Sequence, residues 1–365
     1  MSLGGQLSVL GHAMLTALGA DGPSTCAALR AGLSGVKEGK LWDFTIGEYL
    51  PVARPRLHQW WEGPTMLPAL ADPVIRQCQR LAQGLGLPHA TGHAPELPVL
   101  LILPPKDRPY RLDNLEQLML DELAKRFDQP LPQGSGAMAG GRTGILPALR
   151  IAQQMIADQL APACIIVGVE SFLRQALVEH YIGEGRLLCG TNSNGFIPGE
   201  AACAVLVGRC GATARPELVI AGCGSGQEAS GDGGNANHPV RGEGLTQAIR
   251  QALGEAGIVF HDLNFSISDL NGEHFKFKEA TFAAGRLDRL LPDGRSRRPR
   301  GFMETWHPVE GIGEIGAATF PCLLGWAFEA GLRGYAPSQH ALLHAGEDNG
   351  ERVALITRFE HKGAN

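Results

Sequence analysis

Apolar segments that lack polar–apolar alternation are the feature of this sequence that most restricts its fold. Residues 98–104 read PVLLILP, residues 163–171 read ACIIVGVES, and residues 200–209 read EAACAVLVGR. A strand that is apolar at nearly every position needs cover on both faces, as helices provide in mostly parallel sheets. The sequence therefore predicts an α/β protein.

Helical patterns separate these strands. Residues 114–127 predict an amphipathic helix, residues 24–36 a helix with Ser24 as its N-cap, and residues 145–159 a helix with Pro147 in its first turn. Further helices are predicted at 244–258 and 316–331, and further strands at 7–12, 216–222, 265–271 and 353–360.

The chain is long enough for two domains. It has 365 residues, whereas an ordinary domain has roughly 100–150. Residues 210–217 read CGATARPE and interrupt the strand–helix pattern. We therefore expect two α/β halves, residues 1–213 and 214–365.

Composition argues against several classes of partner. The formal net charge is −5, which does not favour nucleic acid, and a segment of about 18 apolar residues that would span a membrane is missing. The start has no basic region ahead of an apolar run. The eight cysteines include no CxxC pair and no zinc-like spacing. We expect a reduced, cytoplasmic protein with no metal and no cofactor, and a solvated loop at the basic run 294–301.

A glycine-rich loop, GSGAMAGGRTG at residues 134–144, precedes one predicted helix. Such a loop can cradle a phosphate at a helix N-terminus. However, residues 127–133 are not a convincing strand, no acidic residue is placed to bind a ribose, and lone glycine motifs are weak signals. A turn that has lost a catalytic side chain is favoured here, with a plain packing turn as the alternative. The loop at residues 222–226 is an equally weak phosphate signal.

Four segments, in order along the chain, resemble motifs of the β-ketoacyl synthases. They are VLGHAMLTALGADGPSTCAALRAGLSGV (9–36), GVESFL (168–173), NSNGFIPGEAACAVLV (192–207) and GIGEIGAAT (311–319). The resemblance extends from about residue 7 to residue 358. It implies the thiolase fold, with duplicated α/β halves in five α-β-α-β-α layers, normally as a homodimer. It also implies an ancestral Claisen condensation of acyl thioesters.

The residues that perform this condensation in the family are substituted here. The nucleophilic cysteine of the family pattern A-C-x-x-G falls on Gly141 within MAGGRTG (138–144), and the first histidine falls on Asn271 within SISDLNGEHF (266–275). The second histidine falls on Gly313 or Ile312. The family's lysine falls on Pro308 or His307, and its glycine-rich C-terminal turn corresponds loosely to residues 344–351. No confident catalytic residue remains, so it is open whether the chain is an enzyme.

Other residues are candidates for a remodelled pocket. They are Arg142, Thr143, Cys223, His238, Glu273, His274 and His307. Thr143 is the nearest hydroxyl to the vacated position, without an evident base. Cys223 lies in a glycine loop, where a thiol can be reactive. For Glu273 the alternatives are a pocket position and a solvent-exposed turn in which Asn271 is left-handed.

The resemblance predicts a β-ketoacyl synthase-like (3-oxoacyl-acyl-carrier-protein synthase family) protein that is catalytically inactive and acts in binding or scaffolding. One alternative is an active acyltransferase that uses Cys223 or Thr143. The other is an inert partner subunit of an active synthase. Acyl carrier protein or acyl-CoA is the expected ligand. Divergent synthase-like proteins of this kind accompany bacterial secretion systems, so secretion-system proteins are expected partners as well.

Overall fold

The computed structural model describes residues 3–57, 63, 65–87, 96–231, 238–289 and 303–361. The strands are β1 (Leu7–Leu15), β2 (Val36–Asp43), β3 (Glu48–Ala53), β4 (Val99–Leu103), β5 (Gly136–Ala139), β6 (Ala163–Ser171), β7 (Glu200–Arg209), β8 (Glu217–Gln227), β9 (Phe265–Ser268), β10 (Glu304–Trp306), β11 (His340–Gly346) and β12 (Glu351–Glu360). The helices are α1 (Gly22–Arg30), α2 (Met66–Gly84), α3 (Leu115–Phe127), α4 (Ile145–Ala157), α5 (Gln175–Gly183), α6 (Glu243–Ala256), α7 (His274–Arg289), α8 (Val309–Ile312) and α9 (Thr319–Leu332). The basic run 294–301 lies outside the described residues.

Ten of these strands form one mixed sheet, in the order β10-β9-β11-β12-β8-β1-β7-β6-β4-β5. The five strands of each half follow the same order, and within each half two parallel pairings are followed by two antiparallel ones. A short antiparallel pairing joins the halves, with Ser8 opposite Val219 and Val9 opposite Leu218. The repeated order is the topological sign of a duplicated unit.

Helices cover both faces of each half. The helices α4 and α9 lie between the halves, in a core that takes side chains from the strands of both. The outer face of the first half packs on α2 and α3, and the outer face of the second half packs on α6 and α7. The layers therefore run α-β-α-β-α, so the predicted α/β thiolase-like architecture is confirmed.

Burial on both faces explains the missing alternation in the strands. In β6, Cys164 and Ile166 pack in the central core, whereas Ile165 and Val167 pack against the outer helices. Each such side chain contributes roughly 1.5–3 kcal/mol on burial. The strands predicted at 163–171 and 200–209 have these same bounds in the structure.

Several local expectations need correction. The first helix begins at Gly22, because Asp21 caps it by accepting a hydrogen bond from the Ser24 amide at 2.7 Å, and it ends at Arg30. The glycine-rich loop contains a strand, β5, which pairs in parallel with β4. The residues after β9 form a turn that leads into α7, and Asn271 in it is not left-handed.

The predicted homodimer cannot extend its sheet across a twofold axis through the strand ACIIVGVES (163–171), because this strand has no free edge. This strand is β6, which is paired on one side with β4 and on the other with β7. The strand next to the glycine turn is β5, whose far edge ends the sheet. Within the part of the chain that is described, no helix is both long and apolar enough to cross a lipid bilayer.

Candidate functional site

The glycine turn brings the N-terminus of α4 to the centre of the molecule. Residues 141–143 form a 3₁₀ turn directly before α4, and Gly141 has a φ of +51°. Left-handed backbone of this kind favours glycine. A Cβ added at Gly141 would collide with Oε2 of Glu347, which comes from the opposite half. The Glu347 carboxylate therefore occupies the space that a side chain at residue 141 would need.

Glu347 binds this turn through two kinds of contact. Its Oε2 accepts a hydrogen bond from the Arg142 backbone amide at 2.8 Å, and its Oε1 accepts one from Nη1 of the same arginine at 2.8 Å. An N-terminal amide that points at an anion is the usual anion-binding arrangement of a helix. A carboxylate of the chain itself takes this place, which argues against the phosphate interpretation of the loop.

Arg142 belongs to a buried network that we call the arginine–carboxylate cluster. Its members are Arg108, Arg142, Arg186, Glu170, Glu273, Glu314, Glu347 and Asp348. Arg142 is only 1% exposed, and its Nε donates to Glu314 at 3.1 Å. Charge-assisted hydrogen bonds of this kind are stronger than neutral ones and hold the arginine in one orientation.

The other two arginines complete the cluster. Arg108 donates to Glu170 at 2.7 Å, to Asp348 at 3.1 Å and to Glu347 at 3.2 Å. Arg186 binds Glu273 through two nitrogens, at 2.7 and 3.2 Å, and also reaches Asp348 at 3.1 Å. The carboxylates of both halves thus share cations that lie at the interface between the halves.

Two carboxylates of the cluster have lowered pKa values. Burial raises the pKa of Glu314, but Arg142 and Lys276 outweigh burial and lower it to about 2. The three arginines likewise overcome burial and hold the pKa of Asp348 far below its usual range. Glu170 differs, because burial dominates and raises the pKa of its carboxyl group.

A second turn repeats the first in the other half. Gly316 also has a φ of +51°, and a Cβ added there would collide with Oε2 of Glu170. The adjacent amide, that of Ala317, donates to this same oxygen at 2.7 Å. Each central helix therefore receives at its N-terminus a carboxylate from the opposite half, and Glu170 and Glu347 occupy matching positions.

The cluster leaves little room for a substrate. Two cavities that touch it have volumes of about 20 Å³ and 50 Å³. The first is lined by Glu347 and Asp348, and the second by Arg108 and Glu170. Such spaces hold one or a few water molecules, whereas an acyl chain needs considerably more.

Two of the sequence-predicted positions lie at the cluster. Asn271 donates from Nδ2 to Glu314 at 2.6 Å and to Glu273 at 3.1 Å. Glu273 is 3% exposed, so its side chain is a member of the cluster and does not extend into solvent. Gly313 has no side chain to contribute, and one added there would meet the Ile197 carbonyl oxygen at 3.0 Å. Its neighbour Glu314 is the residue that enters the cluster.

Thr143 has a carboxylate beside it that the sequence did not indicate. Its hydroxyl donates to Oε2 of Glu351 at 2.7 Å and is nearly fully buried. Cys223 lies on β8 against α6, where burial, together with Glu255, raises the pKa of its thiol to about 12. It makes no hydrogen bond to the described members of the cluster.

The three candidate histidines lie away from the cluster. His238 and His274 are exposed, and the His274 backbone amide donates to Asn194. His307 pairs with Glu310, 2.7 Å between Nε2 and Oε1, ahead of α8. Of the candidate pocket residues, the structure thus brings together Arg142, Thr143 and Glu273.

Sequence reasoning missed most of the cluster. The residues not anticipated are Arg108, Arg186, Glu170, Glu314, Glu347 and Asp348. Glu314 and Glu170 carried a usable signal, because each is a lone carboxylate in an otherwise apolar segment, GIGEIGAAT and ACIIVGVES. An acidic residue in a segment that is otherwise expected to be buried indicates a buried cation as its partner.

The depressed pKa of Glu314 predicts a stability change at acidic pH. A carboxylate whose pKa is about 2 in the folded state, against an ordinary 4.5, stabilises the fold above pH 4.5 and loses this contribution as the pH falls towards 2. We expect Glu314→Gln to be less stable than the unchanged protein at pH 7, by on the order of 3 kcal/mol, and the difference to shrink between pH 4.5 and 2. Urea unfolding at several pH values measures it.

Glu310→Gln serves as the matched control, because the Glu310 side chain is 78% exposed and surface pairs contribute little. A stability difference between Glu314→Gln and the unchanged protein that stays constant from pH 7 to pH 2 would contradict the assignment of a depressed pKa.

Several solved structures that share this fold are ketosynthases or ketosynthase/chain length factors. The ishigamide ketosynthase/chain length factor has a TM-score of 0.67 at 18% identity, over 97% of this chain and 99% of that one. The ketosynthase ApeO, in complex with its chain length factor ApeC from Xenorhabdus doucetiae, has a TM-score of 0.68 at 13% identity, over 97% and 98% of the two chains. The AntDE:AntF complex, a type II polyketide synthase acyl carrier protein with its ketosynthase, has a TM-score of 0.70 at 14% identity, over 97% and 99%.

These likenesses define the class of the molecule as the thiolase-like fold of ketosynthases and chain length factors. No protein-family model matches the sequence, and no curated protein shows significant similarity to it. The identities are low enough that the likeness extends to the fold alone, and function depends on the side chains described above.

Proposed function

We propose that this chain is a ketosynthase-fold protein that does not condense acyl thioesters and acts by binding or scaffolding. The observation that supports this proposal best is the Glu347 carboxylate on the Gly141 turn. In this proposal Gly141, Asn271 and Gly313 stand where the resemblance places the catalytic cysteine and the two histidines.

The chemistry of condensation requires what this site lacks. A thiolate must attack an acyl carbonyl, and hydrogen-bond donors must stabilise the oxyanion that develops. Here the Arg142 amide at the start of the helix already binds Glu347. A negative carboxylate in this place would also repel an oxyanion, so the turn opposes the transition state of the reaction.

An active acyltransferase with another nucleophile has weaker support. The raised pKa of Cys223, about 12, keeps the thiol protonated near pH 7, and a thiol is a much weaker nucleophile than a thiolate. Thr143 has Glu351 as a hydrogen-bond acceptor, but its side chain is 2% exposed, and the cavities beside the cluster are too small for a substrate.

The inert partner subunit of an active synthase is the second candidate function. Two of the similar structures are a ketosynthase/chain length factor and a ketosynthase in complex with its chain length factor. This chain matches them over nearly their whole length. A third contains an acyl carrier protein, which supports acyl carrier protein or acyl-CoA as the ligand class. The eight free thiols agree with a cytoplasmic location.

We expect no acyl adduct and no condensation product. The purified chain is incubated with a labelled acyl-CoA and, separately, with an acyl-loaded carrier protein and malonyl carrier protein, and is then analysed by intact mass and product assay. An ordinary ketosynthase is the positive control. A stable acyl adduct on the protein, or turnover on the order of 1–10³ per second, would contradict the proposal.

We expect the chain to be a homodimer that pairs through the free edge of β5. The residues of this strand are half-buried in the isolated chain, and an isologous pairing would continue the sheet across a twofold axis. Sedimentation at micromolar concentration measures the mass. A monomer would contradict self-association and would favour the candidate that needs an active synthase as its partner.

A further inference from the structure

A separate pocket lies between α1, β10 and α9, away from the arginine–carboxylate cluster. Its volume is about 550 Å³, and no member of the cluster lines it. Small-molecule sites usually have volumes of roughly 300–1,000 Å³. The pocket is therefore large enough for a ligand of more than one ring.

Three aromatic side chains form one wall. The ring centroids of Trp306 and Trp326 are 5.1 Å apart at an interplanar angle of 30°, and those of Trp306 and Tyr335 are 6.0 Å apart at 32°. The rings are thus nearly parallel and contact one another. A planar ligand cannot enter between them, but it can stack on the side of the wall that faces the pocket.

Buried polar groups at this wall lack good partners. Nε1 of Trp326 and the hydroxyl of Tyr335 lie close enough for the indole to affect the pKa of the phenol, but neither atom completes a hydrogen bond within the described residues. Trp326 is only 6% exposed, and a buried donor without a partner costs roughly 1–3 kcal/mol. Burial raises the pKa of the Tyr335 phenol, so that it stays neutral near pH 7. Both atoms are buried, so a ligand in the pocket would contact the aromatic rings and not these two polar atoms.

Arg30 and Glu310 are the charged side chains among the residues that line the pocket, and Glu310 is paired with His307. The Cζ of Arg30 lies 4.4 Å from the centroid of the Tyr335 ring. An arginine stacked in this way uses the flat face of its guanidinium group and leaves its in-plane N–H groups free for a carboxylate. In the part of the chain that the structure describes, no carboxylate pairs with Arg30.

We propose that this pocket binds a planar aromatic carboxylate, with its ring on Trp306 and its carboxylate on Arg30. The three aromatic rings alone would also suit a quaternary ammonium ion, but Arg30 on the same wall repels a cation. This binding site does not depend on whether the Gly141 turn is catalytically inactive, because the pocket and the turn share no residue.

Calorimetric titration of the full chain with 2-naphthoate tests the proposal. We expect one saturable site per chain, with binding at least 10-fold weaker for the uncharged 2-naphthol and no measurable binding of tetramethylammonium. Arg30→Ala should weaken the binding of 2-naphthoate at least 10-fold, and Arg30→Lys should weaken it by a smaller factor. Trp306→Leu removes the ring on which the ligand stacks, and should weaken the binding of 2-naphthoate about 3–10-fold.

Arg80→Ala is the matched control, because Arg80 is an equally exposed arginine on α2, far from the pocket lining. It should leave the affinity unchanged. Arg30 is exposed at the end of α1, so its variants are expected to fold even if Trp306→Leu does not. The absence of saturable 2-naphthoate binding, equal affinity for 2-naphthol, preference for tetramethylammonium, or an Arg30→Ala variant with unchanged affinity would each overturn the proposal.

Discussion

Arg142→Met is expected to lower the free energy of unfolding by about 3–5 kcal/mol. The arginine is 1% exposed and binds both Glu314 and Glu347. Its loss leaves two buried carboxylates with one cation fewer, and uncompensated buried charge is far more costly than the pair is favourable. Urea unfolding followed by circular dichroism measures the change.

Two further variants separate the loss of charge from the loss of packing. Arg241→Met removes an arginine whose side chain is 64% exposed and pairs with Glu243, itself 65% exposed, and it should leave stability unchanged. Adding Glu314→Gln and Glu347→Gln to Arg142→Met should recover part of the loss, because the stranded charges are removed. This triple variant also provides a folded sample if Arg142→Met alone does not fold. An Arg142→Met protein within about 1 kcal/mol of the unchanged one, the size of a surface pair, would contradict the role of the cluster.

Gly141→Cys is expected to destabilise the protein and to yield a poorly reactive thiol. A side chain here needs left-handed backbone and collides with Glu347, and strain of this kind costs on the order of 1–3 kcal/mol. In the double variant with Glu347→Ala, the thiol gains both space and the positive end of the helix, which lowers a thiol pKa. We expect iodoacetamide to label the introduced thiol at least 10-fold faster in the double variant.

Neither variant should condense acyl thioesters, because Asn271 and Gly313 supply no histidine, and catalytic groups that act as a unit contribute little alone. Labelling of Cys189, a half-exposed native thiol, serves as the internal reference. Equal labelling of the introduced thiol in the single and double variants would show that Glu347 does not fill the turn. Robust condensation by Gly141→Cys alone would show that the histidine positions have been misassigned.

The fold could be predicted from local patterns, because its central strands are apolar on both faces. The strands at 163–171 and 200–209 and the helix near 114–127 were predicted to within about a residue. The segment from Met66 to Gly84 was not predicted, since Pro73 interrupts the helical pattern of α2. The turn before α7 was also hard to assign from its polar residues alone.

The site was much less predictable, because its ion pairs join distant residues. Arg142 and Glu347 are 205 positions apart in sequence, and Arg108 and Glu347 are 239 apart. No local pattern links such residues, since the repeated halves must first pack together. The resemblance located the Gly141 turn, but it gave no indication of the carboxylate that fills it.

Because the two halves exchange carboxylates, each half depends on the other to complete its central helix. Glu347 completes the N-terminus of α4, and Glu170 completes that of α9. A half expressed alone would lose the carboxylate at the N-terminus of its central helix, and the second half would also leave Glu347 without Arg108 and Arg142. The two copies therefore form a single cooperative unit, and a version split near residue 213 would survive only as an obligate complementing pair of fragments.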